Sequence, residues 1–153
     1  MRWGGLEPEL PRKNAVGLFC GAAFHDVVFA RVPGCGVVRL YDWEVRMRTL
    51  ACLFFPEEGV VKGMDIRAEN IGALEADVGL AVPAADAWVY VNTGLPCQDG
   101  SKANRRRKPA QLREHVATFF IFIQRMQAKY RKVTWFAENV ACSEYVDNEG
   151  AVP

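Results

Sequence analysis

Two short stretches hold the residue types best able to do chemistry. Pro96-Cys97-Gln98 puts a thiol just past an apolar run, Ala87-Trp88-Val89-Tyr90-Val91, that reads as a buried strand. Glu138-Asn139-Val140 puts a carboxyl and an amide at the end of a second such run, Val133-Thr134-Trp135-Phe136. A thiol is a nucleophile once ionised, and a carboxyl can give or take a proton. At a strand's carboxyl end both can face the crevice where open α/β sheets bind ligands. Lys102, Arg105, Arg106, Arg107 and Lys108 follow the cysteine closely, and such a tract suits an anionic partner.

These groups need a scaffold, and the chain spells one out. Ala15-Val16-Gly17-Leu18-Phe19 reads as a first strand, Cys20-Gly21-Ala22-Ala23 as a turn of small residues, and Phe24, Val27, Val28 and Ala30 as the packed face of a short helix that stops at Pro33-Gly34. Gly36-Val37-Val38-Arg39-Leu40-Tyr41 is a second strand ending at Asp42-Trp43-Glu44, followed by a helix over 45–55. An acidic residue about 20 positions past a glycine turn is where a nucleoside-binding α/β domain grips ribose hydroxyls. Val60-Val61-Lys62 and Met64-Asp65-Ile66 make a weaker third strand that delivers Asp65 to the same edge, with a helix over 69–80. The strand before Cys97 is the fourth. The clearest helix spans 111–130, with Leu112, Val116, Phe119, Phe120, Ile123 and Met126 on its buried face, and the strand before Glu138 is the fifth.

Alternating strands and helices predict an α/β fold, a Rossmann-like and mostly parallel sheet of about five strands with helices on both faces. The expected organisation is an irregular leader over 1–14, one core over 15–141 and an irregular tail over 142–153. At 153 residues, 50% hydrophobic and 11% aromatic, the chain can build a real core. Its 19 basic and 18 acidic residues nearly cancel, so attraction to nucleic acid must come from local clustering. Five cysteines without a CxxC pair argue against a disulfide framework and a structural zinc site, and free thiols imply a reducing compartment. Every hydrophobic run is interrupted short of a membrane span, so a cytoplasmic, soluble protein is expected.

Plainer roles are open to the same residues. A free cysteine is often just a small buried side chain, Asp42 and Asp65 suit helix N-caps, and Glu44 suits a solvated first turn. Trp43, Trp88 and Trp135 read as core, although Trp43 sits where an adenine ring could stack. His25 and His115 read as surface or helix residues with no triad or metal site.

Taken in order, the motifs from Val16 to Val140 resemble the catalytic core of the cytosine-5 DNA methyltransferases. Phe19-Cys20-Gly21-Ala22-Ala23 is similar to the family's Phe-x-Gly-x-Gly turn, although Gly17 stands where an aspartate is usual and Ala23 replaces the second glycine. Asp42-Trp43-Glu44 is similar to the acidic pair whose first member holds the ribose of S-adenosylmethionine, and Asp65-Ile66 to the segment that contacts its adenine. Pro96-Cys97-Gln98 resembles the nucleophile motif, and Glu138-Asn139-Val140 the Glu-Asn-Val motif.

The resemblance implies S-adenosyl-L-methionine as cofactor, bound by Phe19, Gly21, Asp42, Trp43, Asp65, Ile66 and Pro96. It implies Cys97 as the thiolate that adds to carbon 6 of a flipped cytosine in double-stranded DNA, so that carbon 5 can attack the sulfonium methyl. Glu138 would hydrogen-bond or protonate ring nitrogen N3, which asks for a carboxyl kept partly protonated by burial, and Asn139 would hold its loop. Gln98, Ser101, Lys102, Arg105, Arg106 and Arg107 would meet the DNA. The family's later arginine-bearing motif and its target-recognition region have no counterpart before Pro153. Two outcomes are therefore expected: a methyltransferase, or a half-enzyme or non-catalytic remnant that needs a second protein chain to supply the missing region.

Overall fold

The computed structural model describes residues 13–21, 23–95 and 109–138. Five strands form one all-parallel sheet in the order β3-β2-β1-β4-β5. They are β1 (Lys13–Leu18), β2 (Cys35–Asp42), β3 (Val61–Gly63), β4 (Trp88–Gly94) and β5 (Lys132–Glu138). The helices between them are α1 (Phe24–Ala30), α2 (Val45–Phe54), α3 (Ile71–Ala81), which follows one 3-10 turn at Ala68–Asn70, and α4 (Pro109–Lys129). This is the expected α/β, Rossmann-like architecture. Sequence order runs outward from β1 in both directions, so the topological switch point lies between β1 and β4.

Parallel strands are covered on both faces, and here period-two alternation sorts the cover. Val16 and Leu18 of β1, Tyr41 of β2, and Val89 and Val91 of β4 face α3 and α4, where they meet Ile71, Leu74, Val78, Phe119, Phe122, Ile123 and Met126. Leu40 faces the other side with Ala23, Ala51 and Phe55. Proline sets two helix ends. The backbone before Pro56 and Pro83 leaves the helical region, at φ −129°, ψ 75° for Phe55 and φ −129°, ψ 79° for Val82, because the ring crowds the preceding residue.

α1 presents a different face from the one its apolar residues predict. Phe24, Val28 and Ala30 are exposed, Val27 is half-buried, and the buried member of the helix is Asp26. The niche is polar. Asn92 of β4 donates to Asp26 Oδ1 at 2.6 Å, and a Cβ on Gly17 would stand 3.0 and 3.1 Å from the two carboxylate oxygens. Gly17, lacking a side chain, leaves the room that the Asp26 carboxylate fills.

On the opposite face one aspartate gathers three donors. Asp77 of α3 accepts from Arg39 Nε at 2.9 Å, Tyr41 Oη at 2.6 Å and Lys62 Nζ at 2.6 Å, which ties α3 to β2 and β3. Burial opposes ionisation of Asp77, but the Lys62, Tyr41 and Arg39 hydrogen bonds outweigh it and hold the carboxyl below its ordinary value. Among the described residues no helix is long and apolar enough to cross a membrane.

Candidate functional site at the carboxyl ends of the strands

The turn after β1 is held in an uncommon backbone shape. Phe19, Gly21 and Ala23 all have positive φ, at 49°, 52° and 58°. Glycine adopts this region freely, whereas non-glycine residues there carry strain of the kind concentrated at ligand sites. Ala23 closes the turn through its amide to the Cys20 carbonyl at 2.8 Å, and its own carbonyl accepts the first helical bond of α1, from Val27. A Cβ on Gly21 would meet nothing within 4 Å, so the space over the turn is open.

Asp42 clasps that turn to the end of β2. Its Oδ2 accepts the Gly21 amide at 2.9 Å and its Oδ1 the Glu44 amide at 2.8 Å, so it serves as the anchor of a turn and not as a helix N-cap. A carboxylate oxygen that accepts one hydrogen bond retains a further acceptor site, which suits hydroxyl groups of a ligand. Arg48 of α2 secures the same corner from below, donating to the Asp42 carbonyl at 3.1 Å and the Trp43 carbonyl at 2.7 Å. Trp43 itself is 65% exposed, which corrects its assignment to the core and leaves its ring available for stacking. Trp135 of β5 is 44% exposed, and its ring stands nearly perpendicular to those of Phe119 and Phe120.

Asp65 lies just past β3 at the same end of the sheet, half-exposed and ion-paired with Arg67 at 2.8 Å. Its carbonyl accepts from Asn70 Nδ2 at 2.8 Å, which shapes the turn into α3. Ile66 is buried with the α3 and α4 core, so its side chain belongs to packing. Cys20 is a poor nucleophile: burial, followed by the Asp42 and Asp26 carboxylates, pushes its thiol far up.

β4 and β5 bring Glu138 to this edge. Gly94 pairs with Glu138 in the sheet register, and the Leu95 amide donates to the Glu138 carbonyl at 3.2 Å. A Cβ on Gly94 would stand 3.5 Å from the Phe19 carbonyl oxygen and 3.9 Å from Glu138 Oε2. The β1 turn and the carboxyl of Glu138 therefore meet at Gly94, beside Leu95, the last described residue before the Pro96-Cys97-Gln98 motif. Glu138 is exposed at the end of β5, so the described residues do not supply the burial that its predicted role asks for.

Pro96, Cys97, Gln98, Ser101, Lys102, Arg105, Arg106, Arg107 and Asn139 lie outside the described residues. Of the predicted positions that are described, Phe19, Gly21, Asp42, Trp43, Asp65 and Glu138 all lie at the carboxyl ends of the strands.

His115, expected as a surface or helix residue, lies on α4 and is buried there, and its ring meets Phe19 edge-on with centroids 5.0 Å apart and planes at 74°. Its position four residues before Phe119 on α4 was the available signal, since i, i+4 neighbours share a helix face. No protein-family model matches the chain, and no curated protein shows significant similarity to it.

Proposed function

We propose that this protein is an S-adenosylmethionine-dependent DNA cytosine-5 methyltransferase core. The observation that carries the reading is the meeting at Gly94 of the Phe19 turn and the Glu138 carboxyl, at the switch-point edge where the Pro96-Cys97-Gln98 motif follows Leu95. The described residues fit the cofactor. The turn is open above Gly21, Asp42 stands beneath it with acceptor capacity left, and the exposed Trp43 ring can stack on a base. The bound cofactor supplies an electrophilic methyl group. Cys97 would form a bond to carbon 6 of cytosine and Glu138 would stabilise the added electron density at N3, so that carbon 5 becomes nucleophilic toward that methyl group. Transfer of the carbon 5 proton to water would let the carbon 6–sulfur bond break, its electron pair returning to Cys97 as the thiolate.

Covalent trapping tests this. Duplex DNA carrying 5-fluorocytosine, with cofactor present, is expected to form an adduct with the wild type and none with Cys97→Ala. An absent wild-type adduct, or equal adduct from both proteins, refutes the mechanism.

A second reading, a chain that works together with another protein chain, is favoured by an exposed aromatic strip. Phe136 of β5 lies against His25, its neighbour Phe24 lies against Phe54 of α2, and Phe24, Phe54 and Phe136 are all exposed. Sedimentation tests it: association that Phe24→Ser with Phe54→Ser abolishes supports the reading, and a monomer at every concentration opposes it.

A further inference from the structure

Buried polar side chains are almost always hydrogen-bonded, because an unpaired one loses its solvation and gains nothing. Among the described residues two buried side-chain atoms have no partner, Thr93 Oγ1 and His115 Nδ1. Thr93 is 1% exposed and His115 7%.

Both lie at the same end of the same face. Thr93 follows Val89 and Val91 at the strand period of two, which turns it toward α3 and α4, and it pairs in register with Leu18 of β1 and Ala137 of β5. His115 continues the buried stripe of Phe119, Phe122 and Met126 toward the start of α4, where its ring meets Phe19. One orphaned group thus stands beside Leu18, the last residue of β1, and the other against Phe19 of the turn that follows, next to the buried cluster that holds Phe19, Leu95 and Phe119.

We propose that His115 Nδ1 and Thr93 Oγ1 form a polar subsite beneath Phe19 that takes the amino-acid end of an adenosyl amino acid. The proposal rests on the function inferred above. Asp42, Trp43 and Asp65 would hold the ribose and base at the ends of β2 and β3, which would leave the β1 and β4 side for the rest of such a ligand. That end carries an ammonium and a carboxylate. A hydroxyl both donates and accepts, and an imidazole nitrogen either accepts from the ammonium or donates to the carboxylate, so the orphaned pair matches it.

Calorimetric titration of the wild type, His115→Phe and Thr93→Val decides the matter, using S-adenosylhomocysteine and 5′-methylthioadenosine as ligands. The second ligand keeps base, ribose and sulfur and lacks the amino-acid end. Phenylalanine preserves an aromatic ring against Phe19, valine preserves the β-branched shape, and thermal melts confirm folding. Each variant is expected to weaken S-adenosylhomocysteine about ten- to a hundredfold, as for loss of a hydrogen bond to a charged group, and to leave 5′-methylthioadenosine unchanged. Equal losses for both ligands, or no loss for either, overturn the subsite while the proposed function stands. A wild type that binds neither ligand overturns the proposed function and the subsite together. If His115→Phe does not fold, Thr93→Val decides alone.

Discussion

The carboxylate of Asp42 accepts the Gly21 amide at 2.9 Å, which joins the turn after β1 to the end of β2. Because the same side chain also takes the Glu44 amide, Asp42→Ala leaves two backbone donors without their partner. The expected cost is about 2–4 kcal/mol in denaturant unfolding and, on the proposed function, a loss of at least about tenfold in S-adenosylhomocysteine affinity as the Gly21 turn loosens. Asp42→Asn keeps one oxygen acceptor and should fall between wild type and alanine. An alanine variant that matches wild type in stability and binding would show that the turn holds itself.

On the proposed function Glu138 acts on a base bound near Gly94, and glutamine tests whether its proton matters. Glu138→Gln keeps the size and most of the hydrogen-bonding capacity but cannot transfer a proton. Single-turnover methyl transfer is expected to fall about 10²- to 10⁴-fold, with binding of S-adenosylhomocysteine within about twofold of wild type. Glu138 is exposed in the described structure, so on the proposed function it is the flipped base itself that covers the side chain. Wild-type rates in the variant would remove Glu138 from the mechanism.

The strands were legible in the sequence because a doubly covered parallel sheet demands apolar runs, and Gly or Pro punctuates the first four of them, while the fifth shows itself by Val133-Thr134-Trp135-Phe136 alone. The long helix was legible too, but its buried face is set a little differently from the one expected. His115, Thr118 and Phe122 belong to it, while Val116 and Phe120 are half-buried. A histidine and a threonine do not register as apolar, so periodicity passed over them. Asp26 was illegible for a deeper reason. Its niche is built by Gly17 and Asn92, which come together only when β1, β4 and α1 assemble, and nothing local marks a carboxylate for burial while Phe24 and Val28 stay outside. Trp43 was misplaced because hydrophobicity alone puts tryptophan inside. Its position just past the last residue of β2 puts it on the turn, at the edge where ligands bind.

Asp26 gives the protein an unusual pH dependence. Burial pushes its carboxyl up from 3.8 to about 6, against the opposing pull of the Asn92 hydrogen bond and the His25 charge. The folded state therefore holds the proton more tightly than the unfolded chain. Between pH 4 and 6 the folded protein binds more protons than the unfolded one, so this group's contribution is greatest below pH 4 and is lost as pH rises through 6. A shift of this size corresponds to about 3 kcal/mol. Asp26→Asn keeps an oxygen to accept from Asn92 and removes the ionisation. It is expected to flatten the pH 4–6 slope and to be about 1–3 kcal/mol more stable than wild type at pH 7.5 in urea unfolding. A variant that is less stable at pH 7.5 and retains the slope would contradict this.

The basic tract after Cys97 offers a test that depends on charge alone. On the proposed function, Arg105, Arg106 and Arg107 neutralise backbone phosphates, and each such contact adds about 0.9 to the slope of log affinity against log salt. Replacing all three by alanine should lower that slope by up to about 3 for a non-specific duplex, measured by fluorescence anisotropy across a salt series. Affinity should fall by the same factor on unrelated DNA sequences, because phosphate contacts carry no base information. On the same reading binding of S-adenosylhomocysteine should not change, since it is Asp42 that holds the Gly21 turn. An unchanged slope would mean that the tract is only a solvated loop. A slope that falls only for one DNA sequence would mean that these arginines read base edges, where a bidentate contact to guanine is the commonest form.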